Sequence, residues 1–155
     1  FDTWLMGNLE YIQPFINSKL PQGLIHADVF SNNVIVNELQ DTVVIMDFEE
    51  AVKYYRVYDI GMTIIGICAE GNTINFEKVS ALLKGYKKEL TLLDIEINVL
   101  QAFTVYAGSA MTFWRHSHFN FIKPDPNFFD HYKVLQSLTD FVKQQPEDCF
   151  KKLAR

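Results

Sequence analysis

Apolar residues near the start of the chain recur mostly three or four positions apart, as on a helix with one buried face. They are Trp4, Leu5, Leu9, Ile12 and Ile16. This spacing predicts a helix over residues 4–16. Pro14 should kink that helix or end its regular part, because proline has no N–H to donate and its ring crowds the preceding turn.

From residue 24 to residue 46 the pattern changes to short β-branched runs, which predict strands at 24–25, 34–36 and 43–46. Residues 37–41 are suited to a hairpin connection. After Tyr58 the pattern is helical almost to the end of the chain. Helices are predicted at about 57–69, at 76–90 with Asn75 as N-cap, at 92–116 opened by the Thr91/Asp94 pair, directly behind Asp125-Pro126, and after Pro146. The predicted fold class is therefore α+β and mostly helical, with a small β insert near the start.

Composition narrows the class of protein. A chain of 155 residues with 48% hydrophobic residues is long and apolar enough for one globular domain. The net charge of −5, with no basic cluster longer than a lysine pair, argues against nucleic acid as a partner. Cys68 and Cys149 stand far apart, which argues against a zinc site or a disulfide framework. The longest apolar stretch, 60–69, is too short to span a bilayer, so we expect a cytoplasmic protein with no membrane partner.

Polar residues gather at the ends of the three predicted strands. His26 and Asp28 follow the first strand, Asn33 precedes the second, and Asp47 follows the third. Two carboxylates and a carboxamide held in this way suit Mg²⁺, which takes few oxygen ligands from protein and completes its shell with water and phosphate. In phosphoryl transfer an Asp orients or deprotonates the attacking hydroxyl, while an Asn and a second Asp hold the metal. The alternative is ordinary turn chemistry, since Asp and Asn are common in turns.

The motif H-A-D-x-x-x-x-N at 26–33, followed by "MDF" at 46–48 and "YDIG" at 58–61, resembles the catalytic half of the aminoglycoside phosphotransferase and choline kinase superfamily. That superfamily shares the protein-kinase fold. Within it, "HADVFSNNVIV" is most similar to the homoserine kinases of this fold, and "GYKKEL", "TFWR" and "HYKVL" extend the similarity. The resemblance implies an ATP- and Mg²⁺-dependent phosphotransferase acting on the hydroxyl of a small metabolite, homoserine first. Choline, ethanolamine or aminoglycoside kinases and a non-catalytic kinase-like binding module are the alternatives.

The same resemblance implies roles for the residues of the motifs. Asp28 would be the catalytic base, and Asn33 and Asp47 the magnesium ligands. His26 would brace the catalytic loop, and Asp59 would accept hydrogen bonds that fix it. Asp59 has the alternative role of N-cap to the helix that follows.

Two hydrophobic residues beside the metal ligands, Ile35 and Met46, would form the floor under the adenine of ATP. The sequence departs from the resembled family at two places. Asn32 stands where many members have Asp, and the "MTIIGICAEG" run after "YDIG" lacks an Asn-Asp-Trp sequence that we associate with homoserine kinases. The second departure leaves the acceptor open.

Candidate substrate residues follow from the chemistry of the possible acceptors. Homoserine has a carboxylate, which an Arg fork could bind, and Arg115 beside Trp114 is the first candidate, with Arg56 as the second. Glu49 is explained first by a solvated strand exit, and binding of a substrate amine is its alternative role. The alternative for Arg115 is a helix end that packs Trp114 and leaves the guanidinium in water. Choline would instead need an aromatic cage, for which the candidates are Tyr54, Tyr55, Tyr58 and Trp114.

A kinase of this fold also needs an N-terminal lobe with a phosphate-covering loop and a strand lysine. No segment of the sequence supplies these parts, and the chain opens in a helix without an initiator Met. We therefore expect residues 1–155 to be the C-terminal catalytic lobe, with the missing N-terminal lobe as its partner. The intact protein would be an enzyme, and this fragment alone would be inactive.

Overall fold

The computed structural model describes residues 1–155 and contains six α-helices and six short strands, numbered here in chain order. The mostly helical α+β class predicted from the sequence is confirmed. The helices are α1 (Asp2–Ile12), α2 (Arg56–Ile67), α3 (Phe76–Glu89), α4 (Asp94–Ser117), α5 (Tyr132–Lys143) and α6 (Cys149–Ala154). The strands are β1 (Gln22–Ile25), β2 (Val34–Asn37), β3 (Thr42–Ile45), β4 (Val52–Tyr55), β5 (Ala69–Glu70) and β6 (Thr73–Ile74).

Helix α4 is the centre of the core and packs against α2 and α5, with α1 also against it. The crossing with α2 is close because Gly61 has no side chain: a Cβ there would lie 2.7 Å from the Phe103 carbonyl oxygen. The side chains removed from solvent come mainly from these helices, among them Ile12, Val57, Ile64, Leu100, Phe103 and Val105. No helix in the structure combines the length and apolar character needed to cross a lipid bilayer.

An ion pair lies at the N-terminal end of α4. The Glu96 carboxylate, which is completely buried, accepts hydrogen bonds from Arg56 Nη2 at 2.7 Å and Arg56 Nε at 3.3 Å. It also accepts the backbone N–H of Leu93 at 3.1 Å. The predicted opening of this helix by the Thr91/Asp94 pair is wrong. The helix begins at Asp94, and the Glu96 carboxylate accepts the backbone N–H of the N-cap residue Leu93.

The strands form three separate two-stranded antiparallel sheets. The predicted hairpin over 34–46 is present as β2 paired with β3. The first predicted strand pairs instead with β4, which was not predicted; Gln22 faces Tyr55 and Ile25 faces Val52 in this register. The β5–β6 hairpin was also missed, although Gly71, whose φ is +59°, is the turn residue that such a hairpin requires.

Two helix termini were predicted correctly from the sequence. Helix α1 ends at Ile12, and Pro14 lies in the 3-10 turn that follows, as expected for a residue that ends a regular helix. The N-cap at Asn75 is confirmed, since its side chain accepts the N–H groups of Glu77 and Lys78 at 2.9 and 3.0 Å.

The helix predicted behind Asp125-Pro126 is present as α5, but its predicted start is wrong, because α5 begins only at Tyr132. The Asp125 carboxylate accepts from the backbone and side-chain amide of Asn127, which closes a local turn. Rings at 128 and 131 then pack against Phe119 at centroid distances of 5.0 and 6.0 Å. These contacts hold the segment in turns until residue 132.

Candidate active site

The loop between β1 and β2 is held by a carboxylate from helix α2. Asp59 accepts the backbone N–H of His26 at 3.1 Å through Oδ2 and that of Ala27 at 2.8 Å through Oδ1. Asp59 lies within the first turn of α2 and Tyr55 is the N-cap residue, so the alternative role of Asp59 as N-cap is wrong. Its side chain connects the loop to the helical core.

His26 connects the loop to the end of β3. Its Nε2 lies 2.7 Å from the Met46 carbonyl oxygen, and its Nδ1 lies 3.2 Å from the backbone nitrogen of Asp28. A carbonyl can only accept and a backbone N–H can only donate, so these two bonds together select the neutral ring with its proton on Nε2. Ala27 has a φ of +68°, a strained conformation for a residue with a Cβ, and the bonds on either side of it hold it there.

Asp28 and Asn33 contact each other directly across the loop. The Asn33 carboxamide donates from Nδ2 to the Asp28 carboxylate oxygen Oδ2 at 2.8 Å and to the Asp28 carbonyl oxygen at 2.9 Å. Asn32 donates to Asn33 Oδ1 at 3.1 Å, which fixes the carboxamide from its other side. The second carboxylate oxygen of Asp28, Oδ1, has no hydrogen bond within the chain and is open to a ligand.

Burial, a hydrogen bond and the charges of neighbouring carboxylates all influence the pKa of Asp28. Burial raises the pKa of Asp28, while the Asn33 hydrogen bond lowers it. The charges of Asp47 and Glu50 raise the same pKa. The hairpin brings Asp47 to the loop, because the Met46 N–H donates to the Asn33 carbonyl oxygen at 2.9 Å. The backbone φ of Asp47 is +61°. The negative charges of two further acidic side chains thus act on Asp28.

The predicted adenine residues lie on one surface of the β2–β3 hairpin. Ile35 is directly opposite Val44 in the register, and Met46, two residues after Val44, directly follows β3. Because side chains alternate between the two faces of a strand, Ile35, Val44 and Met46 share a face. Ile35 is 50% exposed and Met46 is 38% exposed, so this face is an open apolar surface beside Asn33 and Asp47.

Arg115, near the C-terminal end of α4, reaches the same loop. Its guanidinium carbon lies 5.8 Å from the centre of the Phe30 ring. Burial lowers the pKa of Arg115, and the charge of Asp28 raises it. This half-buried guanidinium makes no hydrogen bond or ion pair within the chain. Phe30 was not among the residues chosen from the sequence, although it stands between Asp28 and Asn33 in the motif.

The other candidate substrate residues are exposed or have partners of their own. Trp114 is half-exposed and stacks on His118 with ring centroids 4.7 Å apart. Glu49 is exposed, and it is its neighbour Glu50 that influences the pKa of Asp28. Arg56 is held by Glu96, so it is not free to bind a substrate carboxylate.

The tyrosines proposed for an aromatic cage form a cluster without Trp114. Tyr54 contacts Tyr55 and Tyr58 edge-on, and its hydroxyl lies 3.1 Å from that of Tyr106. Tyr58 also packs against Tyr106 at 5.0 Å. These rings are packed against one another, and Trp114 makes none of these contacts.

A family assignment follows from comparison with known proteins. Residues 4–90 match the family model described as "Phosphotransferase enzyme family". The chain belongs to this family. It is 34% identical over 113 residues to a homoserine kinase of Rhizobium rhizogenes and 34% identical over 112 residues to one of Sinorhizobium fredii. A homoserine kinase of Caulobacter vibrioides is 33% identical over 97 residues.

These matches cover 71%, 71% and 62% of this chain, and 34%, 33% and 30% of the respective kinases. The chain therefore matches about a third of the length of these curated relatives. The family model covers the loop, the hairpin and helices α2 and α3, whereas Arg115 lies beyond it.

The donor atoms at the loop suit the metal that phosphotransferases of this kind use. Asn33 offers a carboxamide oxygen and Asp47 an exposed carboxylate, both hard oxygen ligands. The structure has no cluster of three or more His, Cys, Asp or Glu side chains that could hold a metal. Mg²⁺ does not need such a cluster, because it keeps several waters and binds substrate phosphates. The residues present fit Mg²⁺ bound together with a nucleotide.

Proposed function

We propose that this chain is the C-terminal catalytic lobe of a cytoplasmic, ATP-dependent phosphotransferase, with homoserine as the acceptor. The observation that carries the proposal is the Asp28–Asn33 contact, in which one carboxylate oxygen is held and the other is open. The family assignment and the relatives named homoserine kinase support it. The nucleotide-covering lobe would be supplied by the rest of the intact protein.

In the proposed reaction the acceptor hydroxyl donates a hydrogen bond to Asp28 Oδ1. The hydroxyl oxygen attacks the γ-phosphorus of ATP, the bond from that phosphorus to the β,γ-bridging oxygen breaks, and the hydroxyl proton passes to Asp28. Burial favours this role because it raises the pKa of the carboxylate, which makes Asp28 a stronger base than an exposed Asp. Asn33 keeps Oδ2 in place, so that Oδ1 faces the acceptor.

Asn33 and Asp47 would hold Mg²⁺, which when bound neutralises the charge of the phosphates. Ile35 and Met46 would contact the adenine from the open face of the hairpin. His26 and Asp59 would take no part in proton transfer. They would instead hold the loop: His26 donates a hydrogen bond to the Met46 carbonyl, and Asp59 accepts hydrogen bonds from two loop amides.

Arg115 favours homoserine over the alternatives. Homoserine has a carboxylate, and an unpaired guanidinium near the base is suited to bind it in a bidentate manner. Choline would need an open aromatic cage, but Tyr54, Tyr58 and Tyr106 are packed against one another and Trp114 lies apart from them. Trp114 and Glu49 remain candidates for outer contacts with the acceptor.

The test is a panel of acceptors assayed with the intact protein by ATP consumption. Homoserine, choline, ethanolamine and an aminoglycoside are compared with and without Mg²⁺. We expect turnover with homoserine alone among the four, and none without Mg²⁺. Turnover with choline but not with homoserine would show that the assignment of homoserine as the acceptor is wrong. Mg²⁺-dependent protection by ATP against thermal unfolding, with no turnover on any acceptor, would favour the binding module.

A further inference from the structure

The Arg115 guanidinium lies over one aromatic ring and has no hydrogen-bonded partner within the chain. Its guanidinium lies over Phe30 at 5.8 Å, within the distance at which a cation is attracted to a ring face. No carboxylate, carbonyl or hydroxyl in the chain accepts a hydrogen bond from it. A long side chain without a hydrogen-bonded or ion-paired partner keeps many rotamers, so we expect the Phe30 ring to restrict Arg115.

Phe30 is in turn held by the catalytic loop and by helix α2. It is 9% exposed, its N–H donates to the Asp28 carbonyl at 3.0 Å, and its carbonyl accepts from Asn33 N–H at 2.9 Å. Helix α2 reaches the loop at Gly66, where a Cβ would lie 2.2 Å from the Val29 carbonyl oxygen and 3.0 Å from Phe30 Cγ. The ring is therefore fixed to the backbone of the proposed base.

We propose that Phe30 is a positioning residue that holds the Arg115 guanidinium toward Asp28 for recognition of the acceptor carboxylate. This inference rests on the proposed function, in which Arg115 binds that carboxylate. One loop would then place both the base and the group that selects the acceptor. Loss of the ring should weaken acceptor binding more than it slows the chemical step.

The kinetic test uses Phe30→Leu, which removes the ring face, and Phe30→Tyr, which keeps it. We expect KM for homoserine to rise about three- to tenfold in Phe30→Leu, the range that a partly buried cation–ring contact gives, with a smaller change in kcat. Phe30→Tyr should restore KM to near the wild-type value. In an Arg115→Ala background, Phe30→Leu should raise KM no further. An equal rise in both backgrounds, or no rise in Phe30→Leu, would overturn the proposal.

Two glycines on α2 provide a matched control. Gly66→Ala and Gly61→Ala each introduce a methyl group into a space closed by backbone atoms, at the loop and at α4 respectively. Both variants should be less stable than wild type, but only Gly66→Ala should raise KM for homoserine. A rise in both would mean that KM reports general loosening rather than the position of Phe30.

A measurement without substrate separates this proposal from the proposed function. Nitrogen relaxation of the Arg115 Nε–H group reports how restricted this side chain is in the intact protein without substrate. We expect a restricted group in wild type and Phe30→Tyr, and a mobile one in Phe30→Leu. A mobile group in wild type would overturn the role of Phe30. If no acceptor is phosphorylated while this result holds, the function is wrong and the Phe30–Arg115 contact stands.

Discussion

An arginine lies at each end of helix α4, and the two arginines differ in their partners. Arg56, from α2, contacts the N-terminal end, and Arg115 is part of the C-terminal end. At the N-terminal end, Arg56 is bonded to the buried Glu96 through two nitrogens and to the Thr91 carbonyl at 3.3 Å. At the C-terminal end, Arg115 lies over the face of Phe30 and makes no hydrogen bond or ion pair within the chain. Both guanidinium groups are partly removed from water, but only one is compensated within the chain.

The difference indicates two different uses of the same residue type. A buried charge without a partner costs free energy, which a fold that served stability alone would avoid. Arg56 and Glu96 instead connect α2 to α4 and compensate each other. Arg115 has donors left over for an anion that the chain does not supply. We infer that the N-terminal end of α4 contributes to stability and the C-terminal end to binding.

The largest effect is expected at the loop that Arg115 faces. Asp28→Asn keeps the shape of the side chain but removes the proton acceptor, so kcat should fall by about 10²- to 10⁴-fold. The affinity for Mg²⁺-ATP and the unfolding temperature should change little. Turnover by the intact protein and ATP titration measure the two quantities. A variant with wild-type kcat would show that Asp28 is not the base.

At the opposite end, Glu96→Gln should reduce the free energy of unfolding by about 2–4 kcal/mol, because it leaves Arg56 without its counter-charge in a mostly buried place. Urea unfolding measures this loss. Glu147→Gln is the control, since its ion pair with Lys151 is exposed and should contribute within about 0.5 kcal/mol. Equal stabilities of the two variants would contradict the structural role of the N-terminal end.

Arg115→Ala should have the opposite effect to Glu96→Gln, because it should change acceptor binding rather than stability. KM for homoserine should rise by about one to two orders of magnitude, the scale of losing a charge-assisted hydrogen bond, while stability stays close to that of wild type. A large loss of stability with unchanged KM would remove the contrast between the two ends. Arg115→Lys keeps the charge without the planar fork and should recover only part of the affinity.

The smallest expected effect concerns pH. Asp28 must be ionised to accept a proton, so kcat/KM should fall on the acid side as Asp28 becomes protonated. Glu50→Gln removes a negative charge that raises the pKa of Asp28, so the acid limb should move to lower pH. Added salt should reduce this displacement because Glu50 is exposed. Glu49→Gln is the matched control and should leave the acid limb in place.

Local patterns were enough to predict most of the helices and the β2–β3 hairpin. Asn75 capped its helix as expected, because the interaction joins residues only two and three positions apart. The pairing of β1 with β4 was missed, since Gln22 and Tyr55 come together from distant parts of the sequence. The late start of α5 depends on packing against Phe119, which no helix-start signal contains.

The candidate site shows the same division between local and distant information. The contact between Asp28 and Asn33 lies within one loop, and the motif spacing pointed to it. Spacing could not show that Arg56 is already bonded to Glu96, because those residues are 40 positions apart. Nor could it show that Phe30, an apolar residue inside a polar motif, would lie under Arg115.

The anchoring of the loop by Asp59 has a consequence for amide hydrogen exchange. The N–H groups of His26 and Ala27 are protected by a side chain on α2. Their exchange with deuterium should therefore slow down or speed up together with that of the first turn of α2, rather than with the β2–β3 ladder. Two amides of the loop would thus report the opening of a helix whose sequence begins 29 residues further on.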